Sequence, residues 1–155
     1  RILEHLRGGC ENPFSHQPPV SFFEDTIPLG TAGCLKACES RTATDTFFVV
    51  GGAVWLDDDP QWMLEQHRAM GNALTVFCTN DPGWSGPRTE NHRKPANVYC
   101  CDRVVLDHIR PSGFQDLKEQ LVPALQRAGL LIRAEPRGGE SVVIAIECVL
   151  HGGGR

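Results

Sequence analysis

Two apolar runs rich in β-forming residues, TFFVV (Thr46–Val50) and ALTVFCT (Ala73–Thr79), bracket a segment with helical spacing. Each run is continuous rather than alternating, the pattern of a strand buried on both faces of a sheet. Asp59 and Pro60 read as an N-cap followed by a first-turn proline. The segment PQWMLEQHRAMG then places Trp62, Met63, Gln66 and Met70 at helical spacing and stops at Gly71. Buried strand, helix and buried strand in that order predict an α/β fold with a mainly parallel sheet and flanking helices.

The rest of the chain continues the alternation. VSFFED (Val20–Asp25) reads as a short strand after the proline-rich loop NPFSHQPP, PLGTAG as a glycine turn, and TAGCLKACESR as a helix with Leu35 and Cys38 on its apolar edge. ANVYCC returns to strand, and DRVVLDHI is a short helix opened by Asp102. FQDLKEQLVPALQRAG is the clearest amphipathic helix: Phe114, Leu117, Leu121, Ala124, Leu125 and Ala128 share a face, and Gly129 ends it. Pro123 inside that pattern predicts a kink or a first turn. LLIRAE is a strand, SVVIAIECVL fits strand or helix, and residues 80–95 lack periodicity and read as a long loop. One domain over residues 1–150 is expected, with 151–155 as a flexible tail. The chain reads as starting late, because RILEHLRGG has the character of a crossover helix with no strand before it.

Composition excludes several classes of function. The net charge of −4 and pI near 5.8 argue against a nucleic-acid binder. The densest basic stretch, HRKP at His92–Pro95, is too short to track a phosphate backbone. No apolar run approaches the roughly 18 residues of a membrane span, and the first residues lack a signal-peptide core, so a cytoplasmic location is expected. Seven cysteines without any CxxC, most with apolar neighbours, are expected to be reduced, buried thiols. Cys34 and Cys38 share a helix face, but zinc would need two more ligands.

Three segments in order resemble the sugar-1-phosphate nucleotidyltransferases (NDP-sugar pyrophosphorylases), nearest to the mannose-1-phosphate guanylyltransferase and glucose-1-phosphate nucleotidyltransferase branches. They are VSFFEDTIPLGTAGCLKACES, DTFFVVGGAVWLDDDPQWMLEQHRAMGNALTVFCT and NVYCCDRVVLDHIRPSGFQDLKEQLVPALQRAG. The resemblance implies a Rossmann-like sheet of the nucleotide-diphospho-sugar transferase type, here truncated. It also implies a reaction in which a sugar 1-phosphate attacks the α-phosphate of a nucleoside triphosphate and releases pyrophosphate, with magnesium as cofactor. The family's LGTAG turn, which lies against the nucleotide, maps onto Leu29, Gly30, Thr31, Ala32 and Gly33. Glycines permit close backbone approach there, and a helix N-terminus offers unpaired N–H groups. A glycine turn that simply joins strand to helix is the plain alternative.

The departures from the family are as informative. Its glycine-rich phosphate loop does not occur in these residues; LRGG at Leu6–Gly9 lacks the pattern. Ala53 stands where the family's strand ends in a magnesium-binding aspartate, and alanine offers a hard cation no oxygen. No metal site is therefore assigned; Asp57 in the following DDD cluster is an alternative donor, while Asp59 is taken as a cap. Lys94 and Asn97 are the candidate sugar-phosphate contacts, with Gly86-Pro87 a competing placement for the first. Glu135 and Glu140 lie only near the family's late acidic residue. His67 and His108 read as solvated or packing histidines, and Asp116, Lys118 and Glu119 as an ordinary charged helix face. Three readings remain: a nucleotidyltransferase-like domain, impaired in this chain; an inactive nucleotide- or sugar-phosphate-binding or interaction module of the same ancestry; or a plain α/β domain with no such ligand. Self-association is left open.

Overall fold

The computed structural model describes residues 23, 25–54, 56, 58–80 and 93–136. In chain order they form α1 (Gly30–Ala37), β1 (Thr46–Val50), α2 (Pro60–Ala69), β2 (Leu74–Asn80), β3 (Arg93–Asp102), a 3-10 helix (Arg103–His108), a π turn (Leu117–Leu121) running into α3 (Val122–Arg127), and β4 (Ile132–Pro136). The predicted strand at Val20–Asp25 lies mostly outside the described residues, as do the segment 81–92 and everything after Pro136. Phe23 and Asp25 are not in a strand.

The sheet has the order β1-β3-β2-β4. β3 runs antiparallel to both of its neighbours, and β2 and β4 are parallel. Among the described residues three strands therefore point one way and β3 is reversed, which gives the mainly parallel sense of the expected α/β sheet with one parallel ladder, β2 with β4. The reversal follows from pairing strands that are consecutive in sequence: β2 ends at Asn80 and β3 begins at Arg93 beside it. Asn80 and Arg93–Pro95, read from sequence as loop, belong to these strands.

Side-chain alternation explains why the strands are apolar throughout. Leu74, Tyr99 and Cys101, with Phe47, Val49 and Val76 against them, face one side of the sheet and meet Ala32 of α1, Leu117, Leu121 and Leu125. Phe77, Val98 and Cys100, with Phe48, face the other side and meet Met63 and Trp62 of α2. Both faces are thus covered by helices and are mostly apolar. β1 departs from the expectation of full burial: its first four residues are half-buried and Val50 is exposed. Among the described residues it is an edge strand, paired only with β3.

The helix ends follow local chemistry. The Asp59 carboxylate accepts from Gln61 N at 2.9 Å and Pro60 fills the first helical position, as predicted. Gly71, at φ +60°, follows α2 as an αL terminator. Pro123 lies in the first turn of α3, one of the two outcomes its position predicts. Val122 N donates to Leu117 O, five residues back, so the turn ahead of the proline widens into a π turn. Leu117, Leu121 and Leu125 keep the predicted buried stripe, but Phe114 does not, being 59% exposed. The helical segment starts only at Leu117, after the Asp116 cap, so Phe114 precedes it and escapes its periodicity.

Candidate ligand site at the carboxyl end of β1

β1, β2 and β4 end on the same side of the sheet, where open α/β folds place ligands. Past Val50 the chain turns sharply: Gly51 N donates to Asn97 O at 2.8 Å, and Val54 N donates back to Gly51 O at 3.0 Å. A Cβ on Gly51 would stand 3.1 Å from the Asn97 Cβ, so glycine eases the close approach of the two chains there. Gly52 and Ala53 lie exposed on the tip of this turn. Asn97 sits in an irregularity of β3. Opposite the consecutive residues Phe77 and Cys78 stand Val98 and Pro95, so Ala96 and Asn97 are extra. Asn97 takes φ +56°, a conformation asparagine tolerates better than most side chains.

The glycine turn at Leu29–Gly33 is positioned by Gln115. Ala32 N and Gly33 N both donate to Gln115 O, at 3.0 and 3.2 Å, and Gln115 N donates to Leu29 O at 2.8 Å. The Gln115 side chain is itself fixed by the Arg110 backbone, accepting from its N and donating to its O. This corrects part of the expectation for a phosphate-type site: the N–H groups of Ala32 and Gly33 are satisfied within the protein, and both residues are buried. Gly30 has φ +74°, and its missing Cβ would lie 2.4 Å from Gln115 O. Its presence is explained by packing against that carbonyl. Thr31 is exposed, whereas Leu29 and Gly33 line a concavity of about 260 Å³ shared with Lys36, Arg110, Ser112 and Gly113.

Asp116 and Lys118 tie these pieces together, which corrects their reading as an ordinary charged face. Thr31 Oγ1 donates to Asp116 Oδ2 at 3.0 Å and accepts from Leu117 N at 2.8 Å. Asp116 Oδ1 accepts from Lys118 N and Glu119 N, and Gln120 Oε1 reaches back to Asp116 N. This is a reciprocal cap of the π turn, of the capping-box kind. Partial burial would raise the Asp116 carboxyl, but the N–H groups of Glu119 and Lys118, the Thr31 hydroxyl and the Lys118 charge outweigh it and lower its pKa. Lys118 Nζ in turn donates to Asn97 Oδ1 at 3.0 Å. Thr31, Asn97 and the Gly51–Ala53 turn are thereby brought to one end of the sheet. The Asp116 cap had a sequence signal, an aspartate just before an apolar stripe, but the partner reaching back to it is Gln120 and not the Glu119 of an Asp-x-x-Glu pattern; the contact to Asn97, 21 residues away, had none.

Lys94 lies opposite Thr79 in β3, and Asp57 lies outside the described residues. The described residues contain no group of three or more His, Cys, Asp or Glu side chains placed to hold a metal ion. Among the described residues, Ala53 offers no side-chain oxygen and the Asp59 carboxylate is occupied as a cap. No described helix is long and apolar enough to cross a membrane.

His67 belongs elsewhere. It is buried, with Nδ1 2.8 Å from Thr75 Oγ1 and Nε2 3.1 Å from Asp102 Oδ1. Asn72 Nδ2 donates to Thr75 Oγ1, so the Thr75 hydroxyl is set to donate to Nδ1 and Nε2–H to Asp102. Asp102 also accepts from Thr46 Oγ1, at the opposite end of β1 from Gly51. The Asp-His-Thr order has the look of a nucleophile triad, but Thr75 is fully buried. It holds α2 to the sheet. Of the two roles open to His67, packing is the one realised. Asp102, expected to cap the short helix, makes no such side-chain bond there.

No protein-family profile matches the chain. A mannose-1-phosphate guanyltransferase of Emericella nidulans is 34% identical over 90 residues, which is 56% of this chain and 24% of that protein. The chain thus spans about a quarter of the curated relative it matches. In three dimensions it matches HddC of Yersinia pseudotuberculosis, solved with GMP-PN, at a TM-score of 0.70 and 15% identity, over 94% of this chain and 68% of the other. A UDP-glucose pyrophosphorylase of Acinetobacter baumanii matches at a TM-score of 0.57 and 12% identity, over 76% and 52%. The fold is that of the sugar-1-phosphate nucleotidyltransferases.

Proposed function

We propose that this chain is a nucleotidyltransferase-type domain that binds a nucleoside triphosphate and a sugar 1-phosphate at the carboxyl end of β1. The observation that carries this is the convergence of Thr31, Asn97 and the Gly51–Ala53 turn through Asp116 and Lys118. Leu29, Gly30, Thr31, Ala32 and Gly33 form the nucleotide side. Leu29 and Gly33 border a concavity a little below the usual size of a small-molecule pocket, and Phe114 lies exposed beside Gly30, its ring 3.1 Å from where a Cβ would stand. Asn97 and Lys94 form the sugar-phosphate side. In the reaction, a phosphate oxygen of the sugar 1-phosphate attacks the α-phosphorus, the bond to the bridging oxygen breaks, and pyrophosphate leaves. Such transfer is chiefly positioning and charge neutralisation.

Ala53 favours a second reading, a module that binds these ligands without turning them over. Two measurements separate the readings: pyrophosphate release with GTP, UTP, CTP or dTTP paired with mannose or glucose 1-phosphate, and calorimetric titration of the same nucleotides. Binding with turnover supports the enzyme, and binding alone the module. Neither heat nor thermal shift with any nucleotide would refute both.

A further inference from the structure

We propose that the concavity between α1 and the loop at Arg110–Gly113 holds a second site, which takes a small organic oxyanion, a phosphate ester or carboxylate on a short carbon body. Leu29 and Gly33 form its end toward the glycine turn, and its donors lie further along, toward Glu39. The inference stands independently of the function proposed above.

The concavity encloses about 260 Å³. Leu29, Ala37 and Pro111 give it apolar walls, and Lys36, Arg110 and Ser112 supply donors. A guanidinium carries five N–H groups. In Arg110 the Nε group donates to Gln115 Oε1 at 3.4 Å, and the other four have no acceptor among the described residues. Lys36 Nζ donates to Leu106 O at 3.0 Å and pairs with Glu39 at 2.8 Å, which leaves one of its three donors. The Ser112 hydroxyl has no partner among the described residues.

Both cations are held in place before any ligand arrives. The buried Gln115 side chain accepts from Arg110 N and donates to Arg110 O, both at 2.9 Å, which fixes the backbone that carries the guanidinium. Lys36 is tied to a carbonyl of the 3-10 helix. The two walls come together beside Gly33, where a Cβ would stand 3.6 Å from Gly113 O. Two cations against the single carboxylate of Glu39 leave the concavity positive, in a chain whose own net charge is −4. One oxyanion balances that charge. The planar fork of a guanidinium matches two oxygens of a carboxylate or phosphate, and the apolar walls suit a carbon body more than a bare ion.

The test is titration of the chain with glycerol 3-phosphate, glycerate and uncharged glycerol, by calorimetry and amide NMR shifts. Saturable binding of at least one anion is expected, with shifts at Lys36, Arg110, Ser112 and Gly113 and none with glycerol. The tighter of the two identifies the anionic group. Arg110→Met should weaken binding about tenfold, the size of one hydrogen bond to a charged group, and Arg110→Lys should restore only part of it, because the fork is lost. Ser112→Asp, which brings a carboxylate into the concavity, should weaken it as well. No saturable binding of either anion, equal shifts with glycerol, or unchanged affinity in Arg110→Met would overturn the site. Shifts confined to Gly51–Ala53 and Asn97 would also overturn it, while supporting the function proposed above.

Discussion

Replacing Gly30 by alanine tests how the glycine turn is held. Alanine at φ +74° carries the left-handed penalty of about 1–2 kcal/mol, offset by a few tenths from the stiffer unfolded chain. The larger effect is steric. The new methyl would stand 2.4 Å from Gln115 O and 2.8 Å from its carbon, both backbone atoms that no side-chain rotation can move. Relief requires shifting the carbonyl that accepts from Ala32 N and Gly33 N, and two buried hydrogen bonds at about 1 kcal/mol each are weakened together. The sum is a destabilisation of about 3–4 kcal/mol, a large share of a small domain's stability. Gly71→Ala supplies the control. It has φ +60° and nothing within 4 Å of its Cβ, so only the backbone penalty applies, about 1 kcal/mol. Urea unfolding with a common slope, read as the difference in midpoint, compares the two. Equal midpoints for Gly30→Ala and Gly71→Ala would refute the claim that Gln115 fixes the turn.

His67→Ala should destabilise by about 3 kcal/mol, through a cavity and through Thr75 and Asp102 losing a buried partner; a loss below about 1 kcal/mol by urea melting would contradict its role in holding α2. Asp116 has a lowered folded pKa, so it contributes stability above its usual value of 3.8 that disappears as pH falls through the folded value. The gap in urea midpoint between wild type and Asp116→Asn should accordingly be present at about pH 6 and shrink on acidification toward about pH 3; a gap independent of pH would count against it. Burial pushes the Cys100 thiol up to about 12 and Cys101 higher still, so both stay protonated. Iodoacetamide at about pH 8 should spare them until denaturant is added, and mass spectrometry showing prompt native labelling would disprove their packing. Ala53→Asp should raise magnesium-dependent nucleotide binding by restoring an oxygen at the exposed turn, and an unchanged magnesium titration would argue against a site at that turn.

Much of the local structure was written in short segments. TFFVV and ALTVFCT gave strands, Asp59-Pro60 gave a helix start confirmed by a side-chain bond to Gln61 N, and Leu117, Leu121 and Leu125 gave a buried stripe. These depend on period, caps and backbone stiffness, which act over a turn or two of chain. Strand direction was harder, because an apolar run reads the same in either sense. The reversed β3 is set by which neighbours it meets. Phe114 looked like part of the helix stripe because spacing alone cannot show that the helix starts three residues later.

The candidate site divides the same way. By itself the sequence determined the α/β class, the glycine turn at Leu29–Gly33 and the alanine at the end of β1, since each is a matter of residue type at a position. Only the tertiary structure decided what those residues touch. The carbonyl of Gln115 occupies the Ala32 and Gly33 N–H groups, Asp116 reaches Thr31 across 85 residues of chain, and Lys118 reaches Asn97. Such contacts are set by the packing of α1 and the π turn on one face of the sheet, and spacing along a chain carries no record of them.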